Sequence, residues 1–124
     1  MHGARGDAER AAALAASVRS DLGDLRVREL VGRLLEARAE DGERGLERDR
    51  RVSHEIIEPA VGDRLAADLS PADVERAFGP VYRTLGADQT RHALGLVRDA
   101  YRWAIKQHWR DEDPTTGITI RTLM

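Results

Sequence analysis

Apolar positions recur three and four apart along most of this chain, a spacing that predicts helices and no sheet of consequence. The clearest case runs from Asp88 to Pro114. Ala93, Leu94, Val97, Ala100, Tyr101, Ala104 and Ile105 make one apolar stripe. Arg91, Arg98, Arg102, Lys106 and Arg110 occupy the other faces against a single acid, Asp99. Asp88 suits the N-cap, where a side-chain oxygen accepts from first-turn N–H groups. The helix should stop before Pro114, because the residue preceding a proline is pushed out of the helical region. One face of this helix looks to a core and another to something anionic.

The remaining segments follow the same rule with unequal strength. Residues 1–24 carry Ala11, Leu14, Ala15, Val18 and Leu22 on one face, and read either as a helix or as a frayed arm without chemistry. Arg26–Asp41 is a helix through Val27, Leu30, Val31, Leu34 and Leu35, ended by Gly42. Glu43–Ile57 is a weaker helix closed by Pro59. Its large apolar residues are Leu46, Val52, Ile56 and Ile57, so it is either a solvated surface element or a row of arginines facing a polyanion. Pro59–Leu69 is a connector with turn residues Gly62 and Asp63, and Val61, Leu65 and Leu69 dip toward the core. Ser70–Leu85 opens with a cap, a proline at the first helical position and an acid three residues on, at Asp73. Gly79-Pro80 should kink it or split it in two, and Gly86 should end it. Leu30, Leu34, Phe78, Leu94, Val97 and Tyr101 are expected in one core.

Composition narrows the class. The 124 residues suit one domain, and the high charged fraction with both signs mixed suits a solvated helical domain. There is no cysteine, which excludes disulfides, thiolate metal sites and a thiol nucleophile, and which fits a cytoplasmic protein. No apolar run reaches membrane-spanning length, so no membrane partner is expected. The net charge of −2 conceals a segregation: Gln89–Arg110 carries about +4 and Val52–Asp88 about −4. A chain that is acidic on average can still offer a basic face to phosphate.

Candidate catalytic chemistry is sparse. His54-Glu55-x-x-Glu58 lacks the second histidine that would place two imidazoles on one helical face, and no metal or other cofactor is expected. His92 and His108 fall on the basic helix, and Tyr101 falls on its apolar stripe. No serine lies in a nucleophile elbow, and no glycine-rich loop could cradle a phosphate. Trp103 and Trp109, six apart on one helix, should not share a face closely. One should pack inward and the other lie partly exposed. No small-molecule substrate is indicated.

Several phrases in order carry a family resemblance. V-R-E-L-V-G-R-L-L-E, I-I-E-P-A-V-G-D, L-S-P-A-D-V-E-R-A, L-x-x-x-R-x-A-Y-R-W-A and D-x-x-P-T-x-G-I, spanning Val27 to Ile118, resemble the core-binding domain of tyrosine recombinases, the phage-integrase family. The resemblance implies an all-α, four-helix SAM-like orthogonal bundle over residues 25–118, an arm or extra helix over 1–24, and an exit over 119–124 toward a catalytic domain. It also implies a partner, double-stranded DNA, clamped during recombination, with other recombinase subunits beside it in a synaptic complex.

The family's DNA contacts come mainly from the second helix and the start of the last. Carried over, these are Arg44, Arg48 and Arg51, then Gln89, Arg91 and His92. Gln89 stands where the family often has threonine or lysine, and His92 where it often has arginine. Asp88 replaces a residue that is often neutral or basic. The tyrosine nucleophile of the family belongs to the second domain, so this chain is not expected to be an enzyme. The competing expectation is a helical protein-interaction module, or a relic without DNA binding, suggested by the acidic segment Glu55–Asp88.

Overall fold

The structure is a computed structural model that describes residues 22–109 and 112–124. The helix expected over 1–24 lies outside the described residues, except for a helical turn at 22–24 whose Leu22 is buried in the core. Among the described residues every regular element is helical, and the only β-type pairing is one antiparallel bridge, Arg26 with Leu65. No described helix is long and apolar enough to cross a membrane.

The first helix, α1 (Val27–Glu40), buries Val27, Leu30, Val31, Leu34 and Leu35, the stripe read from the sequence. The Glu29 carboxylate accepts the Arg26 backbone N–H at 3.1 Å. At the other end Gly42 takes φ 82°, and the Gly42 and Glu43 N–H groups donate back to the Ala39 and Arg38 carbonyls. These are the two reversed bonds that close a helix around a left-handed residue.

The second helical segment departs from expectation at both ends. α2 (Glu47–Val52) starts four residues later than Glu43, because residues 41–46 turn the corner through Gly42 and Gly45. It then widens into a π-helix, Ser53–Gly62, which runs straight past Pro59. In an α-helix Pro59 would remove one hydrogen bond and press its ring against the Glu55 carbonyl. A coil that bonds five residues apart is wide enough to carry the ring. Pro59 therefore does not close the helix, and the segment keeps Ile56, Ile57 and Val61 buried.

After the π-helix the chain pairs with the start of α1. The Val27 N–H donates to the Arg64 carbonyl and the Ala66 N–H to the Leu25 carbonyl, at 2.9 and 2.8 Å. One 3₁₀ turn, Ala66–Asp68, leads to α3 (Pro71–Leu85). Here the capping box is complete: Ser70 Oγ accepts the Asp73 N–H, and Asp73 Oδ2 accepts the Ser70 N–H. α3 is one continuous helix through Gly79-Pro80, so the split into two short helices does not occur. The carbonyl that Pro80 leaves unbonded belongs to Arg76, which stands on the exposed face where water can satisfy it.

Gly86, φ 84°, serves both as the C-cap of α3 and as the N-cap of α4 (Ala87–Lys106). Asp88 is therefore not the cap; it sits in the first turn and is exposed. α4 touches α1, α2, the π-helix, α3 and a final short helix, α5 (Ile120–Leu123). Tyr101, fully buried, donates its hydroxyl to the Ala66 carbonyl at 2.7 Å. Leu30, Leu34, Phe78, Leu94, Val97 and Tyr101 do share one core. Residues 119–124 fold back far enough for Leu123 to join it, with Thr119 capping α5.

α4 ends at Lys106, well before Pro114. His108 takes φ 61°, its N–H donates to the Ile105 carbonyl, and the Trp109 N–H donates to the Ala104 carbonyl. This reversal changes the tryptophan expectation. Trp109 is not on the helix at all; it swings back onto Trp103, edge to face, with ring centroids 5.0 Å apart. An apolar contact between the residue after the left-handed position and the last helical turn is the usual companion of this ending. The Arg33 guanidinium of α1 lies 6.0 Å from the Trp109 ring centre.

Candidate nucleic-acid interface

Two basic stretches distant in sequence meet in the fold. His92 Nε2, on the second turn of α4, lies 2.8 Å from Asp49 Oδ1 on α2. Asp49 Oδ2 lies 3.7 Å from Arg38 Nη1 of α1, and Arg38 Nη2 donates to Asp99 Oδ2 of α4 at 2.9 Å. Glu43, in the loop before α2, approaches Arg38 at 3.7 Å. The chain Asp99–Arg38–Asp49–His92 pins α2 against α1 and the first half of α4. The side chains of Arg38, Asp49 and His92 are each only 20–24% exposed, so the pairing is shielded from water on most sides. A shielded ionic contact is strengthened by the lower local dielectric, though each group also loses hydration to enter it.

The six residues expected to face DNA are placed as follows. Arg44 is exposed in the loop between α1 and α2. Arg48 and Arg51 are exposed and stand three apart on α2, hence on one face. Gln89 is exposed in the first turn of α4. Arg91 is exposed, and its Nη1 lies 3.1 Å from Asp88 Oδ1. His92 alone is turned inward, to Asp49, so that it joins the two basic elements instead of projecting from them.

Asp49 removes one acid from the surface by pairing inward. Outward from this part of the chain stand Arg44, Arg48, Arg50 and Arg51, none in an ion pair among the described residues, with Glu47 and, one turn beyond Arg51, Glu55 as unpaired acids beside them. Arginine forks match phosphate oxygens two at a time. The adjoining N-terminal turn of α4 presents backbone N–H groups, which favour anions. Thr90, fully buried, donates its hydroxyl to the Gly86 carbonyl at 2.7 Å and locks the corner from which Gln89 and Arg91 project.

Asp49, Arg38, Asp99 and Thr90 are the positions that sequence reasoning missed. The one signal for Asp49 was its isolation as an acid inside R-D-R-R. Asp99 likewise stood out as the single acid of the basic helix, but Arg38 gave no signal, since their pairing spans 61 residues.

The other candidate chemistry resolves locally. His54 Nδ1 and Glu58 Oε2 are 2.6 Å apart on the π-helix, and among the described residues no three His, Cys, Asp or Glu side chains gather as metal ligands would. No family model, curated protein or solved structure matches this chain.

Proposed function

We propose that this chain binds duplex DNA as the core-binding domain of a tyrosine recombinase. In this reading α1, α2 with its π-helical continuation, α3 and α4 are the four helices of a SAM-like bundle. The observation that carries it is the Asp49–His92 contact, which brings the arginine-rich face of α2 beside the start of α4. These are the two segments that the sequence resemblance assigns to DNA.

Arg44, Arg48 and Arg51 would contact phosphates and set the register of the domain on the duplex. Gln89 and Arg91, exposed at the helix start, would reach backbone or base edges, where glutamine pairs with adenine and arginine with guanine. His92 supports the interface from behind. Strand cleavage and joining would belong to a catalytic domain with its own tyrosine, and the other subunits of a synaptic complex would bind around the same DNA. Tyr101 is unsuited to such a role, being fully buried with its hydroxyl committed to the Ala66 carbonyl.

Titration of a labelled duplex at several salt concentrations tests the proposal. One domain makes half a clamp, so affinity is expected near the non-specific range, about 10⁻⁴ to 10⁻⁶ M. Arg48→Gln should weaken binding and reduce the slope of log K against log salt by about one phosphate's worth. Binding indifferent to salt, or unchanged in Arg48→Gln and Arg51→Gln alike, would contradict it.

A further inference from the structure

A second cationic feature lies on a different side of α4. A cleft of about 190 Å³ separates α4 from the segment before α5, and its lining is Arg91, Leu94, Arg98, Ile118, Thr119 and Ile120. Arg91, Leu94 and Arg98 fall on one stripe of the helix, with the two arginines about 10 Å apart along its axis. His92, which faces α2, is about 100° further round. The cleft is therefore distinct from the Asp49–His92 contact, although it shares Arg91 with the DNA face proposed above.

Three donor side chains, Arg91, Arg98 and Thr119, line this cleft, and no acid is among its lining residues. Arg98 is exposed and has no carboxylate partner among the described residues, its neighbour Asp99 being held by Arg38. A Cβ built on Gly95 would lie 3.4 Å from Arg98 Nη2, so the guanidinium lies back over a residue without a side chain, toward Arg91. That lean is the ordinary direction for a helical side chain, and Gly95 leaves it room. Arg91 is paired to Asp88, but the Asp88 side chain is 95% exposed, and so exposed a pair is weakly held. The Thr119 hydroxyl accepts the Thr122 N–H, while its own proton has no acceptor among the described residues. Leu94, Ile118 and Ile120 make the floor and sides apolar. Two guanidinium forks and a hydroxyl over an apolar floor suit a tetrahedral oxyanion, which can take bidentate bonds from arginine and one more from a hydroxyl.

We propose that the Arg91–Arg98–Thr119 cleft is a phosphate-binding site. The phosphate is either a phosphodiester of a duplex backbone or a free phosphate ion. The chemistry at the protein is shared, and the site does not depend on the α2 face binding DNA.

The test is amide NMR of the full chain, titrated first with inorganic phosphate against chloride at constant ionic strength and then with a short duplex. Phosphate should move the amides of Gly95, Arg98 and Thr119. Arg98→Gln should abolish those shifts, Arg91→Gln should reduce them, and Arg98→Lys should keep part of them. If the source is a nucleic-acid backbone, duplex moves the same amides and Arg98→Gln lowers the salt slope by about one. If phosphate alone moves them, the source is the free ion. The proposal is overturned if neither titrant moves these amides, or if the shifts survive the Arg91→Gln/Arg98→Gln double variant. Loss of duplex binding with the phosphate shifts intact would refute only the DNA reading. Duplex binding that responds to Arg48→Gln while these three amides ignore both titrants would refute only the cleft.

Discussion

His108 holds a left-handed backbone conformation that glycine usually supplies, and the two reversed hydrogen bonds at the end of α4 depend on it. Left-handed strain costs a side-chain-bearing residue about 1–2 kcal/mol, while glycine adds about 0.5–1 kcal/mol of backbone entropy to the unfolded chain. His108→Gly should therefore stabilise the protein by about 0.5–1 kcal/mol, the difference between those two ranges. Urea denaturation would show it as a raised midpoint; a lowered one would mean that the imidazole makes a contact worth more than the strain. Tyr101→Phe removes the hydroxyl that meets the Ala66 carbonyl in the core. It should cost about 1 kcal/mol in the same experiment, the usual net worth of a buried hydrogen bond. Single residues of this kind were half legible in the sequence. Tyr101 on the apolar stripe announced burial. His108 announced nothing, because histidine carries no strong turn signal and the ending was expected at the proline further on.

At the scale of elements, local chemistry was legible where several signals coincided and misleading where one stood alone, as with Asp88, which is not the cap of α4. Ser70-Pro71-Ala72-Asp73 specified its own capping box, and α3 begins there. The π-helix was not legible, because Pro59 reads as a stop, and only packing of Ile56, Ile57 and Val61 against the core shows why the chain continues through it. The capping box also makes a pH prediction. The Ser70 backbone N–H, then the Ser70 hydroxyl, and more weakly the Arg64 guanidinium hold the Asp73 carboxyl below the usual aspartate range. A folded-state value lower than the unfolded one adds stability that is present above the ordinary aspartate range and lost as pH falls through the folded value. Stability should thus decline as pH falls below the ordinary aspartate range, and Asp73→Asn should flatten that decline. Thermal melts of both proteins across the range would check it. An identical decline in Asp73→Asn would assign the acid sensitivity to other carboxylates.

Across the described residues, α4 is the common partner of α1, α2, the π-helix, α3 and α5, so its faces decide what the protein can present. Its apolar stripe was plain from spacing alone, and the core formed on it as expected. Its polar faces were not legible in the same way. The sequence shows a row of cations around one acid, whereas the fold divides these polar positions: His92 and Asp99 turn toward α2 and α1, Arg91 and Arg98 line a cleft, and Arg102 approaches Asp113 at 3.9 Å. Long-range partners such as Asp49 and Arg38 made that division, and no local pattern encodes them. The candidate interface therefore rests on α2 and the first turn of α4 acting as one surface. Amide shift mapping with unlabelled duplex added to the labelled chain at low salt tests this most directly. The account predicts that the shifts gather at residues 44–51 and 87–91 and fade together as salt is raised. Shifts confined to Glu55–Leu85, or none at millimolar duplex, would contradict it.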